Sequence, residues 1–187
     1  ISPRFTGRQG GVAYSDHAIG AFLEAARTKP WFKDTVFVIV ADHGASVAGR
    51  RDLEVAKYHI PFLIWSPANL TARRIPELCA QVDVAPTVLG LLGLAHTSTF
   101  IGADILSPGY RPRAFISNYQ KVGLVRDGVL TVLKPVRQAV QYRVDLTTGE
   151  LQPLPTPRAD LIEATRAYYQ GADFLHDHDG LRREPAR

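Results

Sequence analysis

Asp42 and His43 stand side by side, with Gly44 directly behind them. A carboxylate oxygen and an imidazole nitrogen on adjacent residues are both good ligands for a divalent cation. Gly44 lets the backbone turn away tightly after them. Asp42 could instead serve as a turn or cap residue at a strand end, and His43 as a satisfied loop histidine. Metal ligation is the preferred reading of both because of the strand that delivers them. His59 lies further on, just before a second apolar run. It is open between an additional ligand, a hydrogen-bond donor to a substrate's anionic oxygens, and ordinary turn packing. Lys57, with Arg51, could clamp a phosphoryl group, against the plainer reading of solvated loop charges. Lys57 and His59 are carried forward as candidate substrate contacts. Other suggestive residues read more plainly. His17 falls on a helix surface and Thr87 at a helix start, and His176-Asp177-His178-Asp179 belongs to a polar terminus. Cys79, the only cysteine, can form neither an internal disulfide nor a CxxC pair.

The element that must position Asp42 and His43 is the run Thr35-Val36-Phe37-Val38-Ile39-Val40-Ala41. Five of the six residues from Val36 to Ala41 are β-branched or aromatic. Without polar alternation, the run predicts a strand buried on both faces, as in the centre of a parallel sheet covered by helices. Ligands of open α/β sheets sit beyond the carboxyl ends of strands, where this pair emerges. Upstream, Ile19, Phe22, Leu23 and Ala26 recur at helical spacing and predict a helix from about Val12 to Lys29. Ser15 or Asp16 falls near its start, Pro30 marks its end, and Trp31-Phe32 anchors the turn into the strand. The helix and strand read as half of a βαβ unit whose first strand would lie before residue 1.

Downstream, the polar loop Ala45 to Lys57 is longer than an ordinary βα connection, a feature common in functional loops. Ile60-Pro61-Phe62-Leu63-Ile64-Trp65 re-enters the sheet, with Pro61 tolerated at the strand's start. Asp83 is placed to cap a helix through Val88, Leu89, Leu91 and Leu92, with Pro86 in its first turn and Gly93 at its end. Runs at 114–119, 123–126, 129–133 and 142–146, separated by Asp127-Gly128 and Thr147-Thr148-Gly149, predict an antiparallel meander. Leu161, Ile162, Ala164, Tyr168 and Tyr169 predict a helix near the carboxyl terminus, followed by a polar tail.

Composition sets wider bounds. The 187 residues suffice for one substantial core, and 45% hydrophobic with 21% charged residues is ordinary for a soluble globular chain. No apolar run is long enough to span a bilayer, and no leader of the signal-peptide type is present. Methionine is absent, so the chain reads as a processed or excised piece of something longer. The net charge of +4 is spread over scattered arginines without interleaved aromatics, so a solvated surface is preferred and nucleic acid is not an expected partner. A basic rim that attracts phosphate-bearing substrates stays open.

Three blocks occur in order: Val40-Ala41-Asp42-His43-Gly44, Tyr58-His59-Ile60-Pro61-Phe62-Leu63-Ile64-Trp65-Ser66-Pro67, and Val82-Asp83-Val84-Ala85-Pro86-Thr87-Val88-Leu89-Gly90-Leu91-Leu92-Gly93. Together they resemble the carboxyl-terminal part of the sulfatase and phosphoglycerol-transferase branch of the alkaline phosphatase superfamily. Tyr14-Ser15-Asp16-His17-Ala18-Ile19-Gly20 leading to Trp31-Phe32 is similar to lipoteichoic acid synthase-like enzymes, as is Phe115-Ile116-Ser117-Asn118-Tyr119-Gln120 followed by Arg126-Asp127-Gly128. The resemblance covers about residues 12 to 135.

The resemblance implies a metal-dependent hydrolase or transferase acting on phosphate or sulfate esters, with Asp42 and His43 matching the family's late metal-ligand pair. The implied cation is manganese, magnesium, zinc or calcium, and ligand type does not choose among them. A family member's nucleophile (Thr, Ser or formylglycine) and its early acidic ligand lie well upstream of the Asp-His pair, so both are expected outside this chain. Cys79 does not replace the nucleophile, because Asp83 occupies the place where the sulfatase pattern has Arg. The isolated piece is therefore expected to be inactive.

The implied fold is α/β and alkaline phosphatase-like: a partial, mostly parallel central sheet flanked by helices, a small antiparallel meander and a terminal helix. The expected division is 12–110 for half of the catalytic core, 111–155 for the small sheet and 156–187 for the terminal helix and tail, within a single fragment 1–187. Expected partners are a phosphate- or sulfate-ester substrate, on a lipid or glycan headgroup, and a membrane reached through upstream helices. The likeness also implies a parent in a bacterial inner membrane with this domain periplasmic or otherwise extracytoplasmic. The alternative function is a non-catalytic module that binds anionic glycans or lipid headgroups.

Overall fold

In the computed structural model, residues 6–44 and 53–178 are described. They fall into two units, one of residues 1–42 and 61–74, the other of residues 43–60 and 75–187. The first holds helix α1 (Gly7–Ala26), a 3-10 turn at Pro30–Asp34, and strands β1 (Phe37–Val40) and β2 (Phe62–Trp65). The second holds a 3-10 turn at Val55–Tyr58, another at Gln81–Asp83, helix α2 (Val84–Leu91), strands β3 (Ala114–Ser117), β4 (Val122–Arg126), β5 (Val129–Lys134), β6 (Gln138–Val144) and β7 (Leu151–Pro153), and helix α3 (Ala159–Asp177).

In the first unit, aromatic rings make the core. Phe32, Phe37 and Trp65 meet pairwise with centroids 5.3–5.6 Å apart, and Ala26 and Leu23 of α1 close over them. Phe32 therefore anchors the turn as expected, whereas Trp31 stays exposed. Buried Ser66 fixes the ribbon's far end, its hydroxyl donating to the Thr35 carbonyl at 2.9 Å. The expected parallel arrangement does not form among the described residues. β1 and β2 pair antiparallel, with Phe37 opposite Trp65 and Val40 opposite Phe62. The Phe37–Trp65 ring contact joins residues that this register makes direct partners. The expected burial on both faces is also corrected, since Val38 is 36% and Val40 37% exposed. A continuous apolar run signals that cover is needed, but what covers it is a non-local matter.

α1 starts earlier than expected, at Gly7. The glycines at 10 and 11 are carried inside the helix, and Ser15 lies in its interior with its hydroxyl donating back to the Gly11 carbonyl at 3.1 Å.

The second unit's sheet has the order β3-β4-β5-β6-β7, every neighbouring pair antiparallel. The meander and terminal helix expected from the sequence are both present. Asp127 and Gly128 both adopt positive φ between β4 and β5, the backbone twist that a two-residue hairpin demands. Leu130 and Val132 of β5, with Val125, Ile116, Val144 and Leu53, form one buried cluster. α3 crosses β4 and β5. Its Tyr169 hydroxyl lies 3.1 Å from the Ile116 carbonyl and 3.0 Å from that of Gly123. The Gln141 side chain holds the entry to α3 by donating to the Arg158 carbonyl and accepting from the Arg158 N–H.

Asp83 sits at the position before α2, yet its carboxylate does not cap that helix. Fully buried, it accepts from the N–H groups of Ala80 (2.9 Å) and Ala103 (2.8 Å), from the Tyr110 hydroxyl (2.9 Å) and from both terminal nitrogens of buried Arg113 (2.9 and 3.2 Å). Thr87 is equally occupied, donating to the Asp83 carbonyl and accepting from the Ile105 N–H.

Candidate metal and anion site

The antiparallel ribbon places the chain leaving β1 beside the chain entering β2, since the Ala41 N–H donates to the Pro61 carbonyl at 3.2 Å. Asp42 and His43 follow directly and are both exposed. His43 Nδ1 lies 2.8 Å from the Gly44 carbonyl oxygen. A carbonyl only accepts, so Nδ1 carries the proton and donates, and Nε2 of the neutral ring holds the lone pair. Ligating histidines commonly use their second nitrogen in this way, to fix tautomer and ring direction.

Gly44 is required for a reason other than the expected tight turn. Its φ is not in the left-handed region. Instead the Lys57 backbone carbonyl approaches so closely that a Cβ at position 44 would overlap the carbonyl oxygen. The structure thus brings His43-Gly44 and Lys57 into one neighbourhood of the second unit. Lys57 Nζ pairs with Glu54 at 3.1 Å across one turn. Such partly exposed pairs contribute little and leave a cation near the surface. His59 follows the 3-10 turn, exposed, its N–H donating to the Ala56 carbonyl. Arg51 lies outside the described residues.

The turn that carries Lys57 is held by a residue that sequence reasoning passed over. Tyr58 packs against the buried cluster of the five-stranded sheet, and its hydroxyl donates to the Ser117 carbonyl at 2.7 Å. Burial pushes its phenol pKa up, so it remains a donor. The available signal was an aromatic amid the polar Lys57-Tyr58-His59 run, beside Leu53 and Val55, both apolar.

Other candidates are occupied otherwise. Among the described residues no group of three His, Cys, Asp or Glu side chains is placed to hold a cation. His178 stacks on Phe174 with centroids 4.1 Å apart, and His176 lies 3.3 Å from Asp177; Asp179 is outside the described residues. Cys79 is half-buried, and burial followed by the Asp83 charge raises its thiol pKa. That is the opposite of the electropositive setting that activates a thiolate. Asp42 and His43 offer donor types that suit a divalent cation, one hard oxygen and one imidazole nitrogen.

Comparison with known proteins gives this arrangement its context. Residues 4–94 match the family model described as Sulfatase, a span that includes Asp42, His43, Lys57 and His59. The chain is 32% identical over 106 residues to an endo-4-O-sulfatase of Bacteroides thetaiotaomicron, covering 54% of this chain and 20% of that protein. It is 28% identical over 124 residues to the lipoteichoic acid synthase-like protein YvgJ of Bacillus subtilis, covering 57% and 20%. A crystal structure from Vibrio parahaemolyticus, of a protein in the alkaline phosphatase superfamily, superposes with a TM-score of 0.90 at 26% identity over 98% of this chain and 45% of that one. The fold is accordingly that of part of an alkaline phosphatase-superfamily domain. Within that superfamily, residues 4–94 are similar to the Sulfatase family. The chain spans about a fifth of the length of the curated relatives it matches.

Proposed function

We propose that this chain is the carboxyl-terminal part of a metal-dependent enzyme that hydrolyses sulfate esters, with Asp42 and His43 among its metal ligands. The observation that carries this is the Nδ1–H donation of His43 to Gly44, within the residues that match the Sulfatase family. In the neutral ring that bond leaves Nε2 as the nitrogen able to ligate, one residue after the Asp42 carboxylate in sequence. A bound divalent cation supplies Lewis-acid stabilisation of the anionic ester oxygens. Lys57 contributes a mobile positive charge for those oxygens, exchanging Glu54 for the ester. His59 donates to them from the end of the same turn. The nucleophile and remaining ligands come from sequence outside these 187 residues, in keeping with the fraction of each relative that the chain spans. The protonated Cys79 thiol takes no part.

Sulfate is preferred over phosphate because the Sulfatase match and the endo-4-O-sulfatase likeness agree. Transfer of a phosphoglycerol group is the second reading, favoured by the likeness to YvgJ, and it alone would bring a lipid headgroup and a membrane surface. No helix among the described residues is long and apolar enough to cross a membrane. The test is turnover of an aryl sulfate and an aryl phosphate by the full-length protein after chelation and readdition of Mn²⁺, Mg²⁺, Ca²⁺ or Zn²⁺. Metal-restored sulfate release that Asp42→Ala abolishes is expected. Unimpaired turnover by Asp42→Ala would overturn the assignment, and preferential phosphate ester turnover would select the second reading.

A further inference from the structure

We propose that Tyr58 and Gly44 are positioning residues that transmit the register of the five-stranded sheet to His43 and Lys57; this rests on the metal-site reading above. The 3-10 turn Val55–Tyr58 is fixed at several independent points. Leu53, 1% exposed, enters the sheet's core together with Val55 and the Tyr58 ring. The Tyr58 hydroxyl donates to the last carbonyl of β3, at Ser117. Ala56 lies against Gly149, where an added Cβ would come within 2.9 Å of the Ala56 Cβ. The Lys57 N–H donates to the Glu54 carbonyl at 2.9 Å. A turn held this way has one place for the Lys57 carbonyl, and that carbonyl lies against Gly44 with no room for a side chain. Gly44 in turn accepts the hydrogen bond that sets the His43 tautomer.

The path therefore runs from β3 through the Tyr58 hydroxyl, the turn and the Lys57 carbonyl to Gly44 and the imidazole. Each link is a contact between two groups that have no spare room or carry a hydrogen bond. The Lys57 ammonium that meets the ester belongs to the same turn, so one anchor sets both the cation ligand and the anion contact. Such supporting contacts around a metal ligand commonly govern affinity by about 10–100-fold.

The experiment is a Mn²⁺ titration of the full-length protein by calorimetry, with the ¹⁵N shifts of the His43 ring as a second readout. Gly44→Ala is expected to weaken Mn²⁺ binding about tenfold or more and to move His43 away from the Nδ1–H tautomer. Tyr58→Phe keeps the ring and removes one hydrogen bond, with a loss of about threefold or more expected and little change in melting temperature. Leu161→Val, a buried change in α3 outside the cluster that holds the turn, is expected to leave Mn²⁺ affinity unchanged. If Gly44→Ala does not fold, Tyr58→Phe decides alone. Should His43→Ala abolish Mn²⁺ binding while Gly44→Ala and Tyr58→Phe bind like the unsubstituted protein, the positioning role is overturned and the metal reading stands. Should His43→Ala itself bind Mn²⁺ normally, the metal reading falls, and this proposal with it.

Discussion

The β1–β2 ribbon and the five-stranded sheet are both antiparallel, but they are built to different degrees of completeness. In the sheet, β5 is buried along most of its length, with Leu130, Thr131 and Val132 at most 1% exposed. In the ribbon, Val38, Val40 and Leu63 are exposed, and α1 beside it buries only Ala26. The difference shows that hydrophobicity of a strand and its burial are separate facts, joined only by whatever packs on it. β1 is as apolar as β5, yet within the described residues α1 and the Phe32 turn cover β1 at Phe37 only, whereas β5 is covered by α3 and by the Leu53 segment.

Mutations should separate the two regions sharply. The largest loss is expected at Arg113→Leu, which strands the fully buried carboxylate of Asp83. Breaking such a pair costs about 3–5 kcal/mol, to be read by urea denaturation. Leu130→Ala comes next, at about 2–5 kcal/mol for a fully buried leucine in a packed cluster. Val38→Thr in the ribbon should stay within about 0.5 kcal/mol, as exposed positions do. A cost there as large as at Leu130 would contradict the contrast. Glu54→Gln, at a partly exposed ion pair, should likewise shift stability by less than about 1 kcal/mol.

The sheet also carries a pH signature. Burial pushes the phenol of Tyr169 up to about 12, although its bond to the Gly123 carbonyl also bears on it. A phenol raised in the folded state binds its proton more tightly there than in the unfolded chain. Stability is therefore fully present below about pH 10, and this contribution is lost as pH rises towards 12. Denaturation midpoints measured across that window should fall, and Tyr169→Phe should flatten the fall. At the other extreme, the exposed Asp160 carboxyl is held down to about 2, chiefly by its hydrogen bond from Arg158. An NMR titration should find it ionised well below the usual carboxylate range, and Arg158→Gln should return it there.

What could be read from sequence was whatever depends on neighbours along the chain. Asp127-Gly128 between apolar runs specifies a hairpin locally, and the period of Leu161, Ile162, Ala164, Tyr168 and Tyr169 specifies α3. Gly93, at positive φ after α2, marks that helix end as anticipated. The remainder depends on partners far away in sequence. Asp83 resembled a cap because caps are local, whereas its main partner, Arg113, is thirty residues on. The pairing of β1 was misjudged because burial on two faces was inferred from composition. At the candidate site, Asp42, His43, Lys57 and His59 were visible as chemistry-bearing types. The requirement for Gly44, and the part of Tyr58, were not visible, because they arise from a carbonyl and a sheet edge that only the folded chain brings near.

Where a divalent cation binds is tested most directly by anomalous diffraction at the zinc edge from crystals of the full-length protein soaked in Zn²⁺. A peak is expected at about 2.0–2.2 Å from both a carboxylate oxygen of Asp42 and Nε2 of His43, with Nδ1 still donating to Gly44. A zinc peak elsewhere, with neither residue coordinating it, would contradict the account.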